Sequence, residues 1–211
     1  AVCFGLGAYA MGVVPLGMTA WPGWSVIGVI LAVLVPGIVA FVLGSFFFAS
    51  RGLTGAFFGI VTLALAFVFE RMAISSTWLG GMNGLMSIPP VVAFGYEIYD
   101  PLVLYFGLLG LLALTVGFLQ VVMRSRFGLL LAGVRENELR AATLGHQTAR
   151  LKVWAFTLSG MIAGLAGALF VSQFGFASPS LIGFSLSAEA LIWVALGGRS
   201  NLLAAALGAI C

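Results

Sequence analysis

Charge is what this sequence has least of. Only 7% of its 211 residues are Asp, Glu, Lys or Arg, against roughly 25% in a soluble domain. A water-soluble fold is thereby excluded, and with it the solvated active-site clefts of most enzymes. The single histidine, His146, has no acidic or sulfur ligands to make a metal site around it. The two cysteines, Cys3 and Cys211, lie at opposite ends in apolar sequence and form no CxxC pair, so metal or redox chemistry has little support. No GxxxxGK[ST] stretch occurs, so the chain does not hold ATP through a P-loop of its own. No Ser-His-Asp set, HExxH or working carboxylate pair is assembled, which makes covalent catalysis the weakest class.

What is abundant is apolar sequence, 62% of residues, together with 29 glycines. Apolar runs of this kind become helices in lipid, because a helix satisfies its own backbone. Glycines on such helices permit close crossing or bending. The expectation is an all-α, polytopic transmembrane bundle with broken or re-entrant helices, forming one domain over residues 1–211. Both termini fall inside apolar stretches, as in a piece cut from a longer protein. A net charge of +3 would suggest nucleic acid in a soluble protein. Here the positives cluster between spans, where they set orientation, and no nucleic-acid partner is expected.

The apolar segment 1–14 is short and reads as the tail of a helix. Pro15 to Ser25 reads as a turn, with Trp21 and Trp24 suited to an interfacial belt. Val26 to Phe48 is a span of membrane length, with Pro36 and Gly37 inside it and Arg51 closing it. Leu53 to Phe69 is a shorter one, ended by Glu70 and Arg71. Ser75 to Asp100 is polar for this chain, with Val91 to Phe94 as a short re-entrant or interfacial piece. Leu102 to Met123 and Val153 to Phe176 are the next spans. Ser178 to Glu189 is a second polar interlude, and a further helix begins at Ala190. The segment Arg124 to Lys152 carries six Lys or Arg residues, which places it in the cytoplasm by the positive-inside rule. Ser75 to Asp100 and Ser178 to Glu189 then fall outside.

Candidate functional residues follow from these interruptions. Arg135, Glu136, Asn137, Glu138 and Arg140, stopped by Leu144 and Gly145, read as one short amphipathic helix, striped by Val134, Leu139 and Ala142 and braced by a Glu136–Arg140 pair. Such a helix either rests on the membrane surface or seats in a cytosolic motor subunit. Gly52, Gly55 and Gly59 line one helix face, and Gly160, Gly164 and Gly167 another, for packing or for rocking surfaces. Gly81 and Asn83, within the break Gly80 to Gly84, and Ser178 are positions where exposed amides bind a solute, or plain turns. Ser187 is placed to cap a helix from Ala188, with Glu189 in its first turn either lining a pathway or capping. Thr54 and Thr62 either face the pathway or bond back to their own helix.

Several of these stretches, taken in order, carry a resemblance. Gly5 to Tyr9 (GLGAY), Arg51 to Ala64 (RGLTGAFFGIVTLA), Gly80 to Leu85 (GGMNGL), Ser125 to Gly128 (SRFG) with Arg135 to Glu138 (RENE), and Ser178-Pro179 with Leu196 to Gly198 run through almost the whole chain. They resemble the permease subunits of ABC importers for branched-chain amino acids and for urea or short amides, the second permease of the pair in particular. The chain departs from that pattern at Phe57 to Gly59 and at Gly197 to Asn201. The GGMNG element and Ile192 to Arg199 are similar to the urea branch, and Gly145 with Lys152 to Ser159 to the amino-acid branch.

The resemblance implies a multi-pass subunit of the bacterial inner membrane, paired with a homologous permease. Two cytosolic ATPase subunits would bind the ATP and Mg, and a periplasmic or extracellular binding protein would deliver the solute. It implies that residues 124–152 are the cytoplasmic coupling loop. An ion-coupled secondary transporter is the rival, disfavoured by the shortage of membrane carboxylates. A receptor-like protein would carry an attached soluble domain, and these 211 residues hold none.

Overall fold

The computed structural model describes residues 1–18, 24–49, 56–86, 88, 92–93, 96–97 and 101–197. Eight helices are described: α1 (Val2–Met18), α2 (Trp24–Ala49), α3 (Ala56–Ser75), α4 (Pro101–Arg124), α5 (Arg126–Glu136), α6 (Glu138–Thr143), α7 (Thr148–Phe174) and α8 (Phe184–Gly197). Four of them, α2, α3, α4 and α7, are long and apolar enough to cross a membrane. Short 3-10 turns at Thr77–Leu79, Gly81–Asn83 and Pro179–Leu181 break the helical run. Two two-residue strands, β1 (Val92–Ala93) and β2 (Tyr96–Glu97), pair antiparallel in a small ribbon. The fold is thus an all-α polytopic bundle with interrupted helices.

Helices α1, α2 and α7 form the core, and missing side chains allow it. A Cβ on Gly164 would run into the Ala32 carbonyl and the Pro36 ring of α2, and one on Gly167 into the Phe4 carbonyl of α1. A Cβ on Gly160 would sit 2.6 Å from that of Ala40. Gly7 of α1 meets the backbone of Gly164 in the same way. The expected face of Gly160, Gly164 and Gly167 is therefore a packing face against two helices at once. Pro36 explains the approach at Gly164. Proline has no N–H, so the carbonyl four residues earlier, that of Ala32, loses its helical donor, and Gly164 covers it. A helix break of this kind is tolerated in membranes where a neighbouring helix shields it.

Rings close both ends of the core. Phe58 of α3 lies against Phe47, Phe48 and Phe156, with centroids 5.5, 5.8 and 6.4 Å away. At the other end Phe170 meets Phe4, Phe174 and Phe176. Separations of this size suit favourable edge and tilted contacts.

Several local expectations are corrected. Pro15 lies inside α1, which runs on to Met18, so the turn does not begin there. Trp24 opens α2 and is buried with Met11, Val14, Ala32 and Ala168, so it serves the core rather than an interfacial belt. Glu70 and Arg71 do not end α3, which continues to Ser75. Two charged residues late in a helix stop it only if the backbone beyond is better satisfied elsewhere, and here Ala73 packs into the core. α8 begins at Phe184, so Ser187 and Glu189 sit within it and Ser187 does not cap it. The region 124–152 is mostly helical, and its last residues, from Thr148, belong to α7. Gly59 meets nothing within 4 Å and is not a packing position in this chain. Trp21, Arg51, Gly52, Thr54, Gly55 and Arg199 lie outside the described residues.

Candidate functional site

Two ends of the bundle carry the polar features. At one, the interludes that sequence reading treats separately are joined. Leu85 donates its N–H to the Ala177 carbonyl at 2.8 Å, Ala177 returns the bond at 2.9 Å, and Ile88 donates to Gly175 at 3.0 Å. The join is possible because Gly84 adopts φ +70 and stands where a side chain would strike the Ala177 carbonyl. Gly80 and Gly81, at φ +81 and +57, turn the chain into that bridge, a conformation that L side chains resist. Gly81, Asn83 and Ser178 are thus brought to one junction. Asn83 is exposed there, and the Ser178 hydroxyl pairs with that of Ser180 at 2.6 Å.

Beyond the junction the chain turns back into the bundle. The Ile182 backbone nitrogen lies 2.9 Å from where a Gly5 side chain would start, and neighbouring Gly7 packs on Gly164 in the middle of α7. The segment after α7 therefore packs against α1 and α3, and α8 starts from there. Glu70 of α3 stands over that start: its Oε2 lies 3.1 Å from the position of a Cβ on Gly183, the residue before α8. A carboxylate beside a helix N-terminus faces the unpaired N–H groups and the positive end of its dipole. Sequence reading used Glu70 only to end a span. The signal available was an ionisable residue inside apolar sequence. Tyr9 is also notable, since its hydroxyl is buried with no hydrogen-bond partner among the described residues.

Two other proposed pathway residues are elsewhere. Thr62 donates to the Phe58 and Gly59 carbonyls, both at 2.9 Å, within its own helix. Glu189 is exposed on α8.

The opposite end carries α5 and α6. The single amphipathic helix expected over Arg135 to Gly145 is two helices, because Asn137 breaks it. Its backbone is extended at φ −155 and ψ 100, and its side-chain oxygen accepts from the Arg140 N–H at 3.0 Å. Asparagine is among the best N-caps, so α5 ends at Glu136 and a new helix starts at Glu138. The expected stripe is lost with the break: Val134 is buried, while Leu139, 77% exposed, and Ala142 are both exposed. The expected Glu136–Arg140 pair does not form. Glu138 instead pairs with Lys152 of α7 at 2.5 Å, the one ion pair among the described residues. Lys152 also lies 5.9 Å from the Phe48 ring centroid. Gly145, at φ +85, stops α6 as expected. A hollow of about 460 Å³ opens beside Gly133, Glu136, Asn137, Arg140 and Leu144. Among the described residues no group of three His, Cys, Asp or Glu side chains is placed to hold a metal.

The described residues form a multi-pass membrane bundle with glycine-thinned crossings and paired short helices at one end, and the comparisons with known proteins name its kind. The model of the branched-chain amino acid transport system permease component matches residues 1–211. The chain belongs to that family, whose members are permease components and not ATPases. It is 32% identical over 204 residues to the high-affinity branched-chain amino acid transport system permease protein LivM of Salmonella typhimurium, covering 85% of this chain and 47% of that protein. To the probable branched-chain amino acid transport permease protein LivM of Methanocaldococcus jannaschii it is 27% identical over 197 residues, covering 86% and 53%. To the autoinducer 2 import system permease protein LsrC of Salmonella paratyphi B it is 30% identical over 188 residues, covering 89% and 52%. The chain spans about half the length of the curated relatives it matches. No solved structure matches it.

Proposed function

We propose that this chain is the transmembrane permease part of an ATP-driven importer of branched-chain amino acids. The observation that carries the reading is the route from α6 to the core. Glu138 opens α6 and is paired to Lys152 of α7, and α7 is the helix whose glycines bear both α1 and α2. A push on α5–α6 is delivered to the helix on which the core turns. In this reading Arg135, Glu136, Asn137, Glu138, Leu144 and Gly145 form the coupling surface, and residues 124–152 face the cytoplasm. Two ATPase subunits bind ATP and Mg below it.

A homologous permease pairs with this one, and a substrate-binding protein docks on the opposite side, near Asn83 and Ser178. Gly81, Asn83 and Ser178 lie along the pathway or its gate, and Gly160 and Gly164 at sliding helix contacts. Glu70 joins the pathway set, because a carboxylate beside the start of α8 offers both signs of partner to a zwitterion. The names of the LivM relatives favour a branched-chain amino acid over urea.

The test is ATP-dependent uptake by vesicles carrying the full-length transporter with its partners, using labelled leucine and labelled urea in parallel. Leucine uptake that unlabelled valine competes away is expected, and urea uptake insensitive to valine overturns the substrate. The coupling role is tested by Glu136→Lys, expected to weaken co-purification of the ATPase subunits while membrane insertion persists. Unchanged co-purification and coupled uptake would sink it.

A further inference from the structure

The basic residues at the α5–α6 end are not equally engaged. Lys152 is tied to Glu138 and lies over the Phe48 ring. Arg150, two residues earlier, is exposed and forms no ion pair with any described residue. It stands between two open, apolar grooves. One, of about 550 Å³, runs between the end of α4, α5 and α7, with Val122, Ser125, Phe127 and Leu158 among its walls. The other, of about 430 Å³, lies between α2 and α7, with Phe41, Ser45 and Val153. Arg150 and Trp154 line both. They are four residues apart on α7 and so share one face. Phe41 supports the Trp154 ring from the side, with centroids 5.9 Å apart. Among the described residues no carboxylate lines either groove.

An arginine one helical turn from a tryptophan, with an apolar channel on each side of them, matches an amphiphile with one anionic head and two tails. We propose that this face of α7 binds an anionic diacyl phospholipid, its phosphate on Arg150 and one acyl chain in each groove beside Trp154. The guanidinium supplies donors in a fork suited to phosphate oxygens. A tryptophan near the end of a span sits at headgroup depth, and basic pockets between membrane helices recognise anionic headgroups. A free phosphate ion would use Arg150 but leave the grooves unfilled, whereas a neutral lipid would fill them without using the charge.

The test uses the full-length transporter with its partner subunits, reconstituted with brominated-chain phosphatidylglycerol or phosphatidylcholine. Quenching of Trp154 is isolated by subtracting the signal of Trp154→Phe. Phosphatidylglycerol is expected to half-quench at about a fivefold lower mole fraction than phosphatidylcholine, the scale of one basic residue against an anionic lipid. Arg150→Gln should bring the two lipids level, Arg150→Lys should keep most of the preference, and millimolar inorganic phosphate should leave it intact. Should Arg150→Gln fail to assemble, raising the salt should shrink the preference of the unaltered protein. Equal quenching by both lipids, or a preference that survives Arg150→Gln or high salt, overturns the proposal. So does a preference abolished by inorganic phosphate, which would mark a free-anion site. Absence of quenching by either lipid also overturns it, since a protein surface then covers the face.

Discussion

Helices α7 and α4 have the same ingredients and opposite surroundings. Both are long and apolar, and both carry three glycines at helical spacing: Gly160, Gly164 and Gly167 in one, Gly107, Gly110 and Gly117 in the other. In the apolar window of α7, 33% of residues are buried inside the protein, and in that of α4, 0%. Each α7 glycine stands against the backbone or side chain of another helix, while none of the α4 glycines has anything within 4 Å. A small residue thus means close packing only where another helix has come up to it. The described residues leave the α4 face uncovered.

The comparison is broken most forcefully at Gly164. Leucine there must displace the Ala32 carbonyl and Pro36, and is expected to cost about 3 kcal/mol or more, in line with severe overpacking. The same change at Gly117 is expected to stay within about 0.5 kcal/mol, as at an open position. Thermal unfolding of the full-length protein in detergent measures both, and equal losses would mean that α4 is packed as tightly as α7. Next comes Gly84→Ala, where φ is +70 and the Ala177 carbonyl is in the way. Its expected cost of about 1–3 kcal/mol should appear as faster amide exchange at Leu85 and Ala177. Unchanged exchange at both would mean that the junction does not depend on this glycine.

Smaller effects sharpen the contrast at the α5–α6 end. Asn137→Ala removes a cap worth about 1 kcal/mol, and should raise exchange at the Arg140 amide without touching the core. Glu138→Gln is expected to cost less than about 1 kcal/mol, because its partner pair is partly solvated. Its mark would be a loss of salt sensitivity in the exchange of α6, and an undiminished salt response would show that the Lys152 pair does not hold α6 to α7.

Much of the architecture was legible in advance. Long apolar runs have few choices in a membrane, so α2, α4 and α7 stand close to where composition places them. The face of Gly160, Gly164 and Gly167 was also readable, because helical spacing fixes which residues share a side. The α5–α6 break was less so. Asn137 is a strong cap, but the neighbouring charges at Glu136 and Arg140 suit a continuous helix equally well, and the difference is settled by Glu138 reaching Lys152. Glu70 was passed over because sequence distance hides its approach to Gly183, more than a hundred positions away.

Composition by itself determined that this chain is a helical membrane protein, since apolar sequence of such length must satisfy its backbone internally wherever water is absent. It also determined where helices break, through Gly80, Gly81, Gly84 and Gly145, whose left-handed turns other residues resist. Only the tertiary structure decided which breaks meet. The bridge between Leu85 and Ala177, the return of Ile182 to Gly5 and the contact of Pro36 with Gly164 join residues far apart in sequence, and local preference carries no information about such partners.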